Sequence, residues 1–290
     1  MKGLRSSTTA GSGVGAEGAT MGKATIFYFT ATGNSLAVAR GLAARIGASL
    51  TPVASTLGRD QVETDAEVIG FVFPIYDFKA PKIVDELVGK LVPLDGMYLF
   101  VVCTYGISAG QSLKRLEKTV EDHGGHLSGG FAVPMPHNGV GCGNVPRAKR
   151  SRILHASVGK TEKIANYIQH RVDGTVESSR VLPALIRPWM LRTVPTLVRF
   201  AFSLVVKGEE SLALTASGAC NGCGICVEVC PADNIEMHGA RPRWGDRCIG
   251  CFACLHWCPQ RAISLGGQAM GIEPYHHPDV TLSDMMDAKR

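Results

Sequence analysis

The chain contains 290 residues, 45% of them hydrophobic, and has a formal net charge of +5. This length suits two domains, and the apolar content is high enough for a real hydrophobic core. The sequence argues against a secretory signal peptide, because the N-terminus has no apolar stretch, and against a transmembrane helix, because no apolar run of about 20 residues is free of charge.

The first half of the chain alternates short apolar runs with segments of helical period. Residues 1–22, rich in Gly, Ser, Thr and Ala, are predicted to be a disordered leader, with Met21 as a plausible start. Strands that alternate with helices form βαβ units, so this half predicts a parallel sheet covered on both faces. The predicted strands are 23–29, 48–54, 67–76, 97–106 and 126–136, and the predicted helices are 34–47, 81–91, 109–125 and 147–172.

The number and spacing of these strands predict the fold class. Five strands match the flavodoxin-like order 2-1-3-4-5 of a doubly wound α/β sheet. The six-stranded dinucleotide-binding arrangement fits less well, because the chain becomes irregular after residue 136. We therefore expect residues 23–172 to form a flavodoxin-like FMN-binding domain with a C-terminal helical extension.

The loop between the first strand and the first helix reads FTATGNS, residues 29–35. In an open α/β sheet this position binds phosphate on backbone N–H groups and a helix N-terminus. The loop lacks the lysine of triphosphate-binding loops and the three glycines of dinucleotide-binding loops, whereas its hydroxyls and amides suit a monophosphate. A capped helix after a turn is the plainer alternative. The loop resembles the flavodoxin phosphate loop, which implies that FMN binds through Thr30, Ala31, Thr32, Gly33, Asn34 and Ser35.

The flavodoxin resemblance also implies where the flavin ring lies. In flavodoxins the loops after the third and fourth strands hold the ring, often between aromatic side chains. Tyr76, with Phe78 as the alternative, and Tyr105 are the implied ring contacts, although a tyrosine at such a position can also serve packing alone. The residues implied in these loops are Pro74, Tyr76, Phe78, Thr104, Tyr105 and Gly106.

Eight of the ten cysteines lie in two runs, residues 220–231 and 248–259, each spaced C-x2-C-x2-C-x3-C-P. The runs belong to a duplicated unit, because several other residues also match at the same offset. Three thiolates at this spacing can face three corners of one iron–sulfur cube, while the fourth points away. Zinc is the alternative, giving a zinc-stabilised binding module, but it explains neither the third C-x2-C step nor the terminal C-P.

Residues 212–268 resemble the bacterial-type ferredoxins that hold two [4Fe–4S] clusters. In those ferredoxins the fourth cysteine of each run serves the other cluster, and the resemblance implies the same exchange here. Cys103 is predicted to be a core residue, and Cys142 is assigned no role. The implied ligands are Cys220, Cys223, Cys226 and Cys258 for the first cluster, and Cys248, Cys251, Cys254 and Cys230 for the second.

The domain map predicts an apolar and basic linker at residues 173–210, a ferredoxin domain at 211–268 and a C-terminal tail at 269–290. Residues 141–207 contain twelve Lys or Arg and three acidic residues. This segment is either a docking face for an acidic redox partner or a solvated helix face. No nucleic-acid partner is expected, and membrane-surface contact through 181–207 is less favoured than a packed linker.

The whole chain resembles the flavodoxin–ferredoxin fusion family of anaerobic bacteria and archaea. A flavin holds one or two electrons and iron–sulfur clusters pass one at a time, so the expected function is a relay between FMN, two clusters and a redox partner. The alternative is a flavin-dependent reductase of a small molecule. No hydrolytic triad or carboxylate pair is present, so no catalytic residue is predicted. Free thiolate ligands favour the reducing cytoplasm.

The run PMPHNGV, residues 134–140, follows the fifth predicted strand. It would emerge at the same edge of the sheet as the phosphate loop. There it either closes the flavin pocket or faces the clusters, and the sequence leaves both alternatives open.

Overall fold

The computed structural model describes residues 22–76, 78–139, 144–178, 214–265 and 273–289. The predicted leader up to residue 21, most of the predicted linker and Cys142 lie outside these ranges. Residues 181–207, considered above for membrane contact, lie outside them as well. None of the helices in the described ranges is long and apolar enough to cross a membrane.

A parallel sheet forms the centre of the N-terminal part. Its strands are β1 (Ala24–Tyr28), β2 (Ser49–Pro52), β4 (Val68–Pro74), β6 (Tyr98–Tyr105), β7 (Leu127–Pro134) and β8 (Thr175–Val176); β3 (Val62–Glu63) and β5 (Leu91–Val92) form a separate pair. The order in the six-stranded sheet is β2-β1-β4-β6-β7-β8, with every pairing parallel. The central strands are almost continuously buried, as expected when helices cover both faces.

Four helices cover the two faces of this sheet. Two of them pack on one face in a core that includes Leu42, Ile164 and Ile168, and the other two pack on the opposite face around Leu87 and Leu116. The apolar stripe of each helix therefore meets the sheet, as the helical period in the sequence predicts. The helices are α1 (Asn34–Ile46), α2 (Lys82–Lys90), α3 (Ser112–Asp122) and α4 (Arg147–Gln169).

The predicted fold class is confirmed by the strand order. The expected order 2-1-3-4-5 corresponds to β2-β1-β4-β6-β7, and β8 extends the edge beyond β7. The sequence did not predict β8 because two residues are too few to show a period. It pairs with Gly129 and Gly130 of β7, where small residues allow close approach.

The cysteine-rich region is built from short elements with a small apolar core. Its buried core includes Cys226, Cys230 and Cys254, so the cysteines themselves occupy positions that larger side chains fill in other domains. Such a core needs a metal or a cross-link for stability. The elements are β9 (Leu214–Ala216), α5 (Ile225–Glu228), β10 (Ile235–His238), β11 (Arg241–Trp244), α6 (Ala253–His256) and β12 (Ile263–Leu265), followed by α7 (Leu282–Asp287) in the C-terminal segment.

The replacement Gly70→Ala is expected to destabilise the sheet. A Cβ at Gly70 would lie 2.2 Å from a ring carbon of Phe100, its fully buried partner on β6. Overpacking of this kind costs about 1–3 kcal/mol, so the free energy of unfolding should fall by that amount. Urea unfolding followed by circular dichroism measures the change.

The matched control is Gly159→Ala in α4, where no atom lies within 4 Å of the added carbon. Alanine favours a helix over glycine by up to about 1 kcal/mol, so this variant should be as stable as the original chain or more stable. Equal unfolding midpoints for the Gly70 variant and the original chain would contradict the expected clash.

Candidate functional site

A pocket opens at the carboxyl ends of β1, β4 and β6, which is the edge where doubly wound sheets bind ligands. The space that its walls surround, including the part open to solvent, is about 360 Å³. Most of the sequence-predicted cofactor residues line it, and the exceptions are Gly33 and Phe78. The predicted residues that line the pocket are Thr30, Ala31, Thr32, Asn34, Ser35, Pro74, Tyr76, Thr104, Tyr105 and Gly106.

The phosphate loop, residues 30–35, carries unpaired backbone donors. Helix α1 begins after Gly33 with no side-chain cap, so the plainer alternative of a capped helix is wrong. In the described part of the chain, the N–H groups of Ala31, Thr32, Asn34 and Ser35 have no hydrogen-bond partner. A phosphate dianion would satisfy these donors and the positive end of the helix dipole.

The hydroxyls of the loop are already oriented by protein partners. Thr30 Oγ1 accepts a bond from the Gly33 amide at 3.1 Å, and Thr32 Oγ1 accepts one from Asn138 Nδ2 at 2.7 Å. A hydroxyl that accepts from the protein keeps its own proton to donate. Both threonine hydroxyls can therefore donate to a phosphate oxygen, while Ser35 Oγ is 2.8 Å from Thr104 Oγ1.

Two of the three predicted aromatic residues reach the pocket. Tyr76 and Tyr105 line it, and the Tyr76 ring meets Phe29 edge to face with 6.2 Å between ring centres. Phe78 lies outside with half of its surface exposed and a φ of 61°. The structure therefore brings the first choice for the ring contact, and not the alternative, to the pocket.

The four predicted ligands of the first cluster surround a second pocket. Cys220, Cys223, Cys226 and Cys258 all line this space of about 340 Å³. The pKa of the Cys226 thiol is raised to about 11, first by burial and then by the nearby thiols of Cys223 and Cys258. The last cysteine of the second run thus lies with the first three of the first run.

The remaining thiols form the second set. Burial raises the pKa of the Cys251 thiol, and the neighbouring thiols of Cys254, Cys230 and Cys248 raise it further. Buried thiols resist ionisation unless a bound metal stabilises the thiolate. In the described ranges no group of three or more His, Cys, Asp or Glu side chains is spaced for a single metal ion. Four cysteines in each set match the number of thiolates that hold a [4Fe–4S] cluster.

Two buried donors beside the second set support the fit of an iron–sulfur cluster. Among the described residues, the buried Tyr76 hydroxyl has no hydrogen-bond partner, and the indole N–H of Trp244 lies in position to donate to the Cys254 thiol. Burial, and then the nearby Cys251 thiol, raise the pKa of Tyr76 well above its usual range, so its hydroxyl keeps its proton. Trp244 lowers the pKa of the Cys254 thiol against the larger rise from burial. Buried donors normally find an acceptor, and cluster sulfurs accept such bonds.

A chain of hydrogen bonds, here called the joint, links the pocket at the sheet edge to the cysteine-rich region. Asn138 Nδ2 donates to Thr32 Oγ1 at 2.7 Å, and Asn138 O accepts from His256 Nε2 at 3.0 Å. His256 Nδ1 accepts from the Tyr275 amide at 3.2 Å. The Tyr275 hydroxyl closes the joint by donating to Asn34 Oδ1 at 2.7 Å. Burial lowers the pKa of His256 to about 4, so its ring is neutral with the proton on Nε2.

The joint contains residues that the sequence analysis did not single out. Of residues 134–140, Met135, Pro136 and Asn138 line the pocket, and the Asn138 carbonyl also accepts a bond from His256 in the second cysteine run. The predicted C-terminal tail, residues 269–290, contributes Tyr275 to the joint, although the sequence predicted no role for any of its residues. One signal in the tail was available, since Thr281 and Asp284 form a capping box before α7.

Comparison with known proteins identifies the cysteine-rich region. Residues 219–263 match the family model of the 4Fe-4S dicluster domain. This match covers the two cysteine runs, so the chain carries a C-terminal dicluster domain, and its eight cysteines support two clusters. No curated protein matches the chain.

Solved structures resemble the N-terminal part only distantly. The flavodoxin of Megasphaera elsdenii is 20% identical over 47% of this chain and 98% of its own, with a TM-score of 0.31. An FMN-dependent NADH-azoreductase from Bacillus anthracis, in complex with FMN, is 13% identical over 51% of this chain and 100% of its own, with a TM-score of 0.36. These scores are too low to carry an argument. The flavodoxin-like fold of the N-terminal part rests on the strand order and parallel pairing.

Paired cysteine variants test the exchange of the fourth ligand. If Cys230 serves the second run, then adding Cys251→Ala to Cys230→Ala should remove no further iron, because both changes disable the same cluster. Adding Cys223→Ala to Cys230→Ala should remove most of the remaining iron. Iron and acid-labile sulfide are measured on anaerobically purified protein.

The control is Cys103→Ala, a buried cysteine on β6 outside both sets of thiols, which should keep the full iron content. The opposite pattern, in which Cys223→Ala adds nothing and Cys251→Ala removes the rest, would show that each run holds its own four ligands.

Proposed function

We propose that the protein relays electrons between FMN and two [4Fe–4S] clusters, and that it exchanges them with a redox partner protein in the cytoplasm. One observation carries the proposal: Cys251, a predicted ligand of the second cluster, packs against the flavin pocket beside Tyr76. A flavin can hold one or two electrons, whereas each cluster passes one. Their adjacency would therefore join one-electron to two-electron chemistry.

The assignment of FMN is supported by the donors around the phosphate loop. Unpaired amides, an uncapped helix N-terminus and two hydroxyls with protons to donate lie together at the pocket edge. No lysine or arginine lines the described pocket, so the phosphate would be held by backbone donors and hydroxyls. Tyr76 and Tyr105 would flank the flavin ring, with the neutral Tyr76 hydroxyl directed by its position toward the second set of thiols.

The two clusters would have different positions relative to the flavin. Cys251 and Ile249 pack on the sheet core together with Tyr76, which supports the second cluster as the one beside the flavin. Cys223 of the first set is exposed, which supports the first cluster as the one nearer the surface. Electrons would then pass between a partner and FMN through the first and second clusters in turn.

A basic helix face supports an acidic partner. Helix α4 exposes Arg147, Lys149, Arg152 and Lys163 in the described part of the predicted basic segment. Complementary charge on a partner would speed association more than it would tighten binding. We therefore expect the rate of electron exchange with an acidic partner to fall as ionic strength rises.

Anaerobic purification with flavin, iron and sulfide quantified together checks the cofactors. We expect FMN together with iron and sulfide, because the flavin pocket and both sets of thiols belong to one chain. Zinc without iron would contradict the proposal and favour the zinc-stabilised module. Iron and sulfide without any bound or bindable flavin would contradict the flavin half of the proposal.

The double variant Cys230→Ala/Cys251→Ala tests the route. Loss of the second cluster should reduce the rate of FMN reduction by a reduced low-potential ferredoxin to that of cluster-free protein, with both proteins measured at saturating FMN. Cys103→Ala serves as the control and should react at the original rate. Reduction of a quinone or nitro compound with NADH at an undiminished rate in the double variant would instead favour the reductase alternative.

A further inference from the structure

The carbonyl groups of the phosphate loop are bound from outside by other parts of the chain. Trp257 Nε1 donates to the Ala31 carbonyl at 2.9 Å, and the His277 amide donates to the Thr32 carbonyl at 2.8 Å. Trp257 belongs to the second cysteine run, and His277 belongs to the C-terminal segment. Ala31 and Thr32 also line the proposed flavin pocket. Each of these two residues therefore contacts both the pocket and one of the two donors.

Peptide geometry turns these contacts into an orientation of the loop. In a planar trans peptide the C=O and the following N–H point in opposite directions. With the Ala31 carbonyl held by Trp257, the Thr32 N–H must face away from Trp257. With the Thr32 carbonyl held by the His277 amide, the Gly33 N–H faces the other way, where it meets Thr30 Oγ1. The bonds to the Ala31 and Thr32 carbonyls thus fix the directions of the Thr32 and Gly33 amides.

The position of Trp257 is itself fixed by its surroundings. It lies between Cys254 and Cys258, which are predicted ligands of different clusters. Its ring is buried, stacks on the His276 ring with 4.4 Å between centres, and packs in the same apolar core as α1. A donor held this firmly can orient the peptide that it binds, because little entropy is lost on forming the bond.

The C-terminal segment also restricts the loop. A Cβ at Gly33 would lie 2.8 Å from Val280 Cβ and 3.1 Å from His277 Cβ, so the C-terminal segment packs directly on the loop backbone. The loop residue Gly33 also has a φ of 89°, which favours glycine. The joint described above adds side-chain bonds to Thr32 from Asn138 and to Asn34 from Tyr275.

We propose that Trp257 is a positioning residue for the flavin phosphate: its indole N–H holds the Ala31–Thr32 peptide so that the loop amides face the pocket. Phosphate binding and the docking of the cysteine-rich region on the loop are then coupled, and each strengthens the other by the same factor. This inference rests on the proposed binding of FMN, and it adds that the dicluster domain helps to build the flavin site.

The variant Trp257→Phe tests the inference with two flavins that differ only in the phosphate. The binding affinities of FMN and riboflavin are measured by quenching of flavin fluorescence on anaerobic, cluster-loaded full-length protein. Loss of one oriented hydrogen bond should weaken FMN binding about three- to tenfold. Riboflavin binding should not change, because the ring loops keep their contacts.

The control Tyr98→Phe removes a bond of similar kind from the far end of the sheet, where the tyrosine hydroxyl donates to the Val172 carbonyl at 2.7 Å. It should change neither affinity. An equal loss of FMN and riboflavin affinity in Trp257→Phe would overturn the inference, because it would indicate a general structural role. Unchanged FMN affinity would overturn it as well.

A measurement on the original chain keeps the inference testable if the variant does not fold. Coupling requires FMN to slow hydrogen–deuterium exchange of peptides that contain Trp257 and the His277 amide, and riboflavin at equal saturation to slow it less. Equal protection by the two flavins would overturn the coupling but leave FMN binding intact. A protein that binds neither flavin would overturn the proposed function itself.

Discussion

The bond from Trp257 to the Ala31 carbonyl joins residues that lie 226 positions apart in the chain. It is the point at which the cysteine-rich region meets the backbone of the phosphate loop. Because one peptide group has a donor and an acceptor on opposite sides, fixing the carbonyl from one side also fixes the amide on the other. The geometry of the candidate flavin site therefore depends on where the cysteine-rich region docks.

The joint holds two further groups of the loop, the side chains of Thr32 and Asn34. His256 can hold it together only as a neutral ring, since one ring nitrogen must donate to Asn138 and the other must accept from Tyr275. Burial keeps the ring neutral by lowering its pKa. A polar network that is buried and fully paired specifies one arrangement of its parts, because any other leaves a group unpaired.

The cysteine-rich region differs from the sheet, because its apolar core is small and several of the core residues are cysteines. Its core positions are occupied by cysteines such as Cys226 and Cys254, so the stability of the region depends on what those cysteines bind. Within this small region the two sets of thiols lie close to each other, and Cys251 of the second set lies beside Tyr76.

The sequence predicted the elements that follow a period or a spacing. The strands of the sheet, the phosphate loop and the two cysteine runs are local patterns, each readable within a dozen residues. The sequence did not reveal Trp257 or Tyr275, because each is an ordinary aromatic residue whose partner is far away in the chain, and it indicated Asn138 only as part of the run 134–140. It also left Phe78 open as the alternative to Tyr76, and only the backbone after β4 shows that Tyr76 lines the pocket while Phe78 lies outside it.

The sequence by itself therefore determined the parallel sheet, the loop chemistry suited to a phosphate, and the ligand types suited to iron–sulfur clusters. Periodicity and spacing carry that information, because they reflect covalent geometry and short-range packing. Only the tertiary structure decided that the second cysteine run lies beside the pocket at the sheet edge and that the C-terminal segment packs on the loop at residues 30–35. Contacts between distant segments depend on how whole surfaces fit, and no local pattern in the chain encodes that fit.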